Sequence, residues 1–249
     1  MGSPEALVEF AGELRFFLRP ERRDRVVPAA CDGVSSLGHV VESLGVPLTE
    51  VGSLVVNGAA AEPGYRPGGG DRVAVAARPR PQPVPAPRFL LDVHLGTVAR
   101  RLRLVGVDTA YTNDADDPEL IEQANTERRV LLTQDRGLLR HHRLWLGAFV
   151  RGARPMAQFA DILDRFVPPL APWTRCLACN GPLAPVPKAD VEPLLQPGTR
   201  RSYDTFARCS VCGHVYWHGA HTGHLDQIVA TARHAVAGQA SAEARPTDS

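Results

Sequence analysis

The stretch from Phe89 to Asp135 restricts the fold more than any other part of the sequence. Two short apolar runs, Phe89–Leu91 and Val130–Thr133, are each followed within two residues by an aspartate, Asp92 and Asp135. Apolar runs of this length, each followed by a helical pattern, predict buried parallel strands of an α/β sheet. Ligands of such sheets bind at the carboxyl ends of the strands. The sequence therefore predicts a polar site there.

An acidic turn between the two runs adds Asp114, Asp116 and Asp117. Carboxylates gathered at a sheet edge suit a hard cation, and a hard cation beside arginines suggests phosphate chemistry. A structural role competes with this, because Asp117 precedes a proline and Asp135 precedes a helical pattern, so both can cap helices. Asp116 is then the better ligand by elimination. Asp92 is harder to explain structurally, because a buried charge is costly without a partner or a cation.

Residues 89–169 form one predicted domain. Its helices are expected over 95–105, where Gly106 is the stop, over 117–127, near 136–142 and over 156–166. Two further strands are expected over 109–112 and 145–150. Strands that alternate with helices predict a three-layer α/β/α sandwich.

Residues 5–77 are expected to form a small N-terminal domain. An alternating stretch, Leu14 to Leu18, predicts a strand, and Ser36 predicts the cap of a helix that Gly45 stops. A strand over 53–56 leads into Asn57-Gly58, a hairpin signal, and a last strand covers 71–76. This order resembles the ubiquitin-like β-grasp of sulfur-carrier proteins. Those carriers need a free C-terminal Gly-Gly, whereas this chain continues, so sulfur-carrier chemistry is excluded. An interaction or RNA-positioning module, for which a protein partner is possible, is a better prediction than a purely structural role.

Residues 78–88, with five prolines in eleven residues, read RPRPQPVPAPR. Prolines at this density favour extended polyproline II and predict a semi-rigid linker.

Residues 173–225 carry two C-x-x-C pairs, Cys176/Cys179 and Cys209/Cys212. Tetrahedral Zn²⁺ takes four such thiolates, and a site saturated in this way is structural rather than catalytic. The sequence thus predicts a zinc ribbon whose long insert packs or bulges outward; unrelated turns or redox use are the alternatives. Cys31 has no motif partner and is interpreted as incidental.

Four histidines follow the second pair, namely His214, His218, His221 and His224. They could form a second metal site, although surface or RNA-contacting roles are favoured. Tyr216 and Trp217 could stack on bases or pack within the ribbon. The tail over 238–249 has no periodicity and is predicted to be disordered.

Composition excludes several classes of protein. The formal net charge is +1, so bulk charge does not indicate a nucleic-acid binder. No apolar run approaches the roughly 20 residues that span a bilayer, and the N-terminus lacks the pattern of a secretory signal. A cytoplasmic protein without membrane association is the expectation.

Several motifs of the central and C-terminal segments occur together in one order. They are Phe89-x-x-Asp92-x-x-x-Gly96-x-x-Ala99-Arg100-x-Leu102-Arg103-x-x-Gly106-x-Asp108, Asp116-Asp117-x-x-Leu120, Leu131-Leu132-Thr133-x-Asp135, both C-x-x-C pairs and Tyr216-Trp217-x-Gly219-x-His221. In these residues the two segments resemble the Mut7-C RNase family, a branch of the PIN-like nuclease fold with an appended zinc ribbon. The N-terminal β-grasp is also the kind of domain found fused to this family.

The resemblance implies a metal-dependent ribonuclease. Asp92, Asp116 and/or Asp117, and Asp135 would hold Mg²⁺ or Mn²⁺ for attack of water on an RNA phosphodiester. As a hypothesis, phosphates of the RNA would be oriented by three arginines, Arg100, Arg103 and Arg136. The usual PIN arrangement adds a helix glutamate, for which Glu119 and Glu122 are candidates.

Other functions remain open at this point. The leading alternative is a non-catalytic RNA- or ribosome-binding adaptor, which would bind RNA without cleaving it. A toxin-like nuclease is less attractive for a chain with its own accessory domains, and a small-molecule phosphatase would not need the ribbon.

Overall fold

The structure is a computed structural model that describes residues 4–217, 219 and 223–243. Its strands are β1 (Glu5–Phe10), β2 (Val27–Ala30), β3 (Val51–Val56), β4 (Ala59–Ala61), β5 (Arg72–Ala77), β6 (Phe89–Leu91), β7 (Thr109–Tyr111), β8 (Val130–Thr133), β9 (Gly147–Phe149), β10 (Leu183–Val186), β11 (Phe206–Cys209) and β12 (Val215–Trp217). Its α-helices are α1 (Leu37–Ser43), α2 (Gly96–Leu104), α3 (Asp117–Thr126), α4 (Arg136–Leu139), α5 (Pro155–Phe166), α6 (Lys188–Val191), α7 (Pro197–Ser202) and α8 (Gly223–Glu243).

The chain divides into two compact units. The first combines the residues up to Gln82 with Thr133–Phe149, and the second combines Pro83–Leu132 with the residues from Val150 onward.

The first unit contains a mixed five-stranded sheet in the order β2-β1-β5-β3-β4. Strands β1 and β5 are parallel, and the other neighbouring pairs are antiparallel. Along β1, Ala6, Val8 and Phe10 are buried while the residues between them are exposed, as one-sided packing of a strand requires. This sheet with α1 is a β-grasp, so the predicted ubiquitin-like fold is confirmed.

Local signals in the β-grasp act as expected. The Ser36 hydroxyl accepts a hydrogen bond from the His39 amide and caps α1. The β3–β4 hairpin turns at Asn57 and Gly58, whose φ angles of 50° and 85° are those of a tight turn that matches strand twist. Both predicted elements are therefore present.

The predicted strand from Leu14 to Leu18 is wrong. The chain there forms a 3-10 helix, Gly12–Phe17, and the first strand is β1 instead. Leu14 and Phe17 are both buried, and a spacing of three residues places them on one side of a 3-10 turn. Leu18 is buried as well, so the alternation that suggests a strand does not correspond to alternating exposure.

Residues 133–149 pack with the β-grasp, although their sequence assigns them to the central domain. The rings of Phe149 and Phe17 meet edge-on with their centroids 5.1 Å apart. The Phe149 amide donates to a carboxylate oxygen of Glu50 at 2.8 Å, and Glu50 is only 3% exposed. The β-grasp core is thus completed by a segment that follows it in the chain by more than fifty residues.

The second unit contains the parallel strands β7, β6 and β8, with β6 in the middle. All residues of β6 and β8 are buried. Because β7 and β8 flank β6 on opposite sides, right-handed crossovers place α2 and α3 on opposite faces of these strands. Helix α5 packs beside α2. The predicted three-layer α/β/α arrangement is confirmed.

The C-terminal ribbon is the antiparallel sheet β10-β11-β12. Its insert packs rather than bulging outward, because Val191 and Leu195 form a small core with Phe206. Helix α8, which the sequence interpretation missed, packs against α5 and α2, and Ile228, Val229 and Ala232 are its buried residues.

Three further segments complete the description. Residues 78–88, all of them described, contain no helix or strand. Helix α8 continues to Glu243 and so covers the first residues of the segment predicted to be disordered, whose remainder, 244–249, lies outside the described residues. Across the described chain, every helix is too short or too polar to cross a membrane.

Candidate metal centre and acidic residues

The four paired cysteines converge. All four Sγ atoms lie within 4.8 Å of one another, with Cys176 and Cys212 at 3.6 Å and Cys179 and Cys209 at 3.5 Å. Four sulfurs at about 2.3 Å from a tetrahedral Zn²⁺ would be separated by roughly 3.8 Å. The cluster therefore has the size and the donor set of a structural metal site.

The two C-x-x-C turns are named here the first knuckle (Cys176–Cys179) and the second knuckle (Cys209–Cys212). In the second knuckle, the amides of Val211 and Cys212 donate to Cys209 Sγ at 3.4 and 3.5 Å. Burial opposes ionisation of Cys209, but these hydrogen bonds outweigh it and lower the pKa of its thiol. The thiolate, which is the metal-binding form, is thus favoured by the turn itself.

The first knuckle carries the corresponding effect more strongly. Burial again opposes ionisation, yet hydrogen bonds from the Tyr216 hydroxyl and from backbone amides lower the pKa of Cys176 to about 6. Burial and the neighbouring sulfurs raise the pKa of Cys179 to about 12. The surroundings of the first knuckle thus favour the thiolate at Cys176 and oppose it at Cys179.

Arg103 does not occupy the position that its predicted RNA-binding role requires. Its side chain is buried, with the residue only 3% exposed, and Nε donates to the Thr109 carbonyl at 2.9 Å. Nη1 donates to the carbonyls of Leu177 and Ala178 at 3.1 and 2.8 Å. The guanidinium thus joins β7 to the first knuckle, and Arg103 leaves the group of phosphate-positioning candidates.

Asp108 is a second link between the core and the first knuckle. Its Oδ1 accepts from Arg129 Nη1 at 2.6 Å and from Asn180 Nδ2 at 2.8 Å. The Asn180 side-chain oxygen in turn accepts from the Thr109 amide at 3.0 Å. Burial alone would raise the pKa of Asp108, but these two donors and the charge of Arg175 lower it. Gly106 is predicted to stop a helix, whereas Asp108 has no role assigned from the sequence, and only the fold shows what Asp108 contacts.

Asp92 lies where the sequence predicts, directly after β6. It is 8% exposed, and its Oδ1 accepts from the Val93 amide at 2.6 Å at the start of a one-turn 3-10 helix. The Asp92 amide donates to the Leu132 carbonyl of β8. The carboxylate is therefore held at the carboxyl end of the middle strand of the parallel group.

The capping roles of Asp116 and Asp117 are the reverse of those predicted. Asp116 is the N-cap of α3 and accepts from the Glu119 amide at 2.9 Å, while the Glu119 side chain accepts from the Asp116 amide at 3.1 Å. This reciprocal capping box places Asp117 at the first helical position. Both aspartates are exposed. The elimination that favours Asp116 as a ligand over Asp117 is therefore wrong, and Glu119 is engaged in the cap.

Asp135 caps α4 within the first unit. Its Oδ1 accepts from the amides of Gly137 and Leu138 at 2.6 and 3.3 Å. The neighbouring Arg136 donates to the carbonyl of Phe17 at 2.7 Å, and its guanidinium lies 5.0 Å from the centre of the Phe17 ring. Arg136 is thus partly engaged within the β-grasp unit, whereas Arg100 is exposed on α2.

Among the described residues, the four cysteines form the only group of three or more potential metal ligands at binding distance; the aspartates do not form another. Two of the four histidines, His218 and His221, lie outside the described residues. His214 lies next to the Tyr216 ring, with centroids 5.3 Å apart, and His224 is exposed at the start of α8.

A three-layer α/β domain with an appended four-cysteine ribbon and a preceding β-grasp defines a PIN-like architecture with accessory domains. The chain belongs to the Mut7-C RNase family: a family model described as the Mut7-C RNAse domain matches residues 87–229, and one described as Mut7-C ubiquitin matches residues 3–84. No curated protein and no solved structure matches the chain. The resemblance seen in the sequence is thereby confirmed.

Proposed function

We propose that this protein is a metal-dependent ribonuclease that hydrolyses RNA phosphodiester bonds. Its carboxylates would come from Asp92, Asp116, Asp117 and Asp135. The proposal is supported by membership of a family whose domain is described as an RNase, and by the position of Asp92. Asp135 belongs to the other unit and remains in the set on the resemblance alone.

The burial of Asp92 is the observation that carries the proposal. A carboxylate that is 8% exposed has lost most of its hydration, which is costly unless hydrogen bonds or a cation compensate. Asp92 also directly follows β6, at the strand end where ligands of parallel sheets bind, and a carboxylate oxygen is the kind of ligand that Mg²⁺ and Mn²⁺ take.

The chemistry follows from the residue types. A bound Mg²⁺ or Mn²⁺ would supply activated water and stabilise the leaving oxygen. The aspartates would hold and orient that cation, while the exposed Arg100 on α2 would position a phosphate by charge-assisted hydrogen bonds. Such contacts with the backbone of the RNA fix its register without reading its sequence.

The test compares Asp92→Asn with Asp190→Asn, an exposed aspartate of α6 that serves as the matched control. Asparagine keeps the cap and removes the charge. We expect Asp92→Asn to slow Mn²⁺-dependent cleavage of mixed RNA by about 100-fold or more, because loss of a metal ligand removes several kcal/mol of transition-state stabilisation. The control should cleave like the unchanged protein. Undiminished cleavage by both Asp92→Asn and Asp135→Asn would refute the assignment.

A non-catalytic RNA- or ribosome-binding adaptor is the second candidate. It is favoured by one specific observation. Asp92, Asp116 and Asp135 each accept a hydrogen bond from a backbone amide at the start of a helix, so each already has a structural role as a cap. An adaptor would bind RNA in the same assay without cleaving it, and its binding would not depend on divalent ions.

The remaining components are assigned by their chemistry. We propose Zn²⁺ as the ion of the four-cysteine cluster, because four thiolates with tetrahedral spacing suit it.

None of the described cysteines forms a disulfide, which fits a protein of the cytoplasm. The β-grasp unit would serve as an interaction or RNA-positioning module, with a protein partner still to be identified.

A further inference from the structure

The Tyr216 hydroxyl contacts the first knuckle at two atoms. Its oxygen is 3.1 Å from Cys176 Sγ and 3.1 Å from the amide nitrogen of Leu177. The Leu177 amide can only donate, so the tyrosine oxygen is the acceptor of that bond. A thiolate has no proton to donate, so when Cys176 is ionised the single proton of the hydroxyl is donated to Cys176 Sγ.

The register of the ribbon explains why residue 216 reaches the cluster. Leu183 pairs with Cys209 across β10 and β11, and Ala207 pairs with Tyr216 across β11 and β12. Cys209 and Ala207 are two residues apart and share a face of the sheet, so Tyr216 lies on the same face as Cys209. Its neighbours Val215 and Trp217 point to the other face, where Val215 packs on the small core around Phe206.

Cys176 has a particular need for such a donor. It is completely buried, whereas Cys179 and Cys212 are exposed. A buried thiolate loses hydration and must recover it through hydrogen bonds from the protein. Backbone amides supply part of this at both knuckles, but among the described residues a side-chain hydroxyl reaches a clustered sulfur only at Cys176.

We propose that Tyr216 is a positioning residue of the metal centre. Its hydroxyl donates to the Cys176 thiolate of the metal-loaded protein and, through Leu177, fixes the turn that presents this thiolate to the ion. Residues of this kind, which touch a ligand and not the metal, contribute substantially to metal affinity. The inference rests on metal binding by the four cysteines and is independent of ribonuclease activity. It also assigns Tyr216 a role other than base stacking.

The first measurement is metal retention by the zinc-loaded full chain. Tyr216→Phe keeps the ring and removes the hydroxyl, and we expect about 10-fold faster transfer of zinc to the chelator 4-(2-pyridylazo)resorcinol. Tyr65→Phe is the matched control, because the Tyr65 hydroxyl is bonded at 3.0 Å to Asp71 in the β-grasp unit. The control should release zinc at the rate of the unchanged protein.

The second measurement separates a hydrogen bond to sulfur from simple packing. In the Co²⁺-substituted protein, loss of a donor raises the energy of the sulfur electrons and moves the sulfur-to-cobalt charge-transfer band to lower energy. We expect this shift for Tyr216→Phe and not for Tyr65→Phe. An unshifted band overturns the proposal, even if zinc is lost faster, and so does an unchanged rate of transfer. Since neither measurement contains RNA, failure here leaves the ribonuclease proposal untouched.

Discussion

The two knuckles have the same sequence spacing but differ in their surroundings. In the first knuckle, Arg103 donates to two carbonyls and the Tyr216 hydroxyl accepts from one amide. Asn180, which follows this knuckle directly, donates to Asp108 of the core. The second knuckle has few such ties: the Ser210 amide donates to the Pro182 carbonyl, and Val211 at its tip is 70% exposed. One turn is built into the α/β core, while the other is a surface turn of the ribbon.

This difference indicates how the ribbon is stabilised. Hydrogen bonds that do not involve a metal already position the first knuckle on β7 and α2. The second knuckle depends on the shared ion and on the β11–β12 hairpin. The cluster therefore attaches a marginal hairpin to a turn that the core has fixed.

Removal of the metal is expected to have the largest effect, and an unequal one. In chelator-treated protein, amide hydrogen exchange in the second knuckle and in β11–β12 should accelerate by about 100-fold or more, because a small ribbon derives most of its stability from the ion. The amides of Cys176 and Asn180, which close the first knuckle, should lose much less protection. Hydrogen exchange followed by mass spectrometry measures both. Equal loss at the two knuckles would contradict the comparison.

Replacement of Arg103 should make the first knuckle resemble the second. Arg103→Met keeps the apolar stem and removes the donors to Thr109, Leu177 and Ala178. Loss of three charge-assisted bonds in a buried site should lower the free energy of unfolding of the second unit by about 3 kcal/mol. Urea titration measures this.

The matched control for that variant is Arg100→Met, on the exposed face of the same helix, which should change the unfolding free energy by less than about 0.5 kcal/mol. A similar effect of both variants would mean that Arg103 does not fasten the knuckle.

The smallest of the three effects depends on pH. Asp108→Asn should cost about 2 kcal/mol at neutral pH, because Arg129, whose side chain is 7% exposed, loses one anionic partner and keeps another, Glu127. The pKa of Asp108 is lower in the folded protein than in the unfolded chain. Its contribution is therefore fully present above the ordinary pKa near 4 and disappears as the pH falls through the lower folded value.

Urea titrations of the unchanged and variant proteins at several pH values give that difference directly. It should be largest near neutrality and should vanish in acid. A difference that persists in acid would show that the cost of Asp108→Asn does not come from the lost charge beside Arg129.

Features set by neighbouring residues could be predicted from the sequence. Ser36 caps α1, Asn57-Gly58 turns the hairpin, and the C-x-x-C spacing brings two sulfurs of one turn together. In each case the chemistry that decides the outcome lies within a few residues. The alternation of strands and helices similarly contains enough information for the α/β/α layers.

Features that depend on distant partners could not be predicted. Nothing near Arg103 in the sequence indicates that the carbonyls of a turn more than seventy residues away would take its hydrogen bonds. The order of Asp116 and Asp117 at the cap is different, because the spacing of Asp116 and Glu119 is a local capping-box signal that the sequence interpretation missed. The 3-10 helix at Leu14 likewise follows from the core that it packs against rather than from its own pattern.

The discontinuous first unit has a consequence for synthesis on the ribosome. Phe149 packs against the β-grasp core and its amide is bonded to Glu50, so the core lacks these contacts when Gln82 leaves the exit tunnel. At roughly 5–20 residues per second, several seconds pass before the missing segment is made. During that interval the nascent β-grasp exposes the apolar site that Phe149 later fills. A partner or chaperone that recognises this temporary surface would act only on chains still being translated.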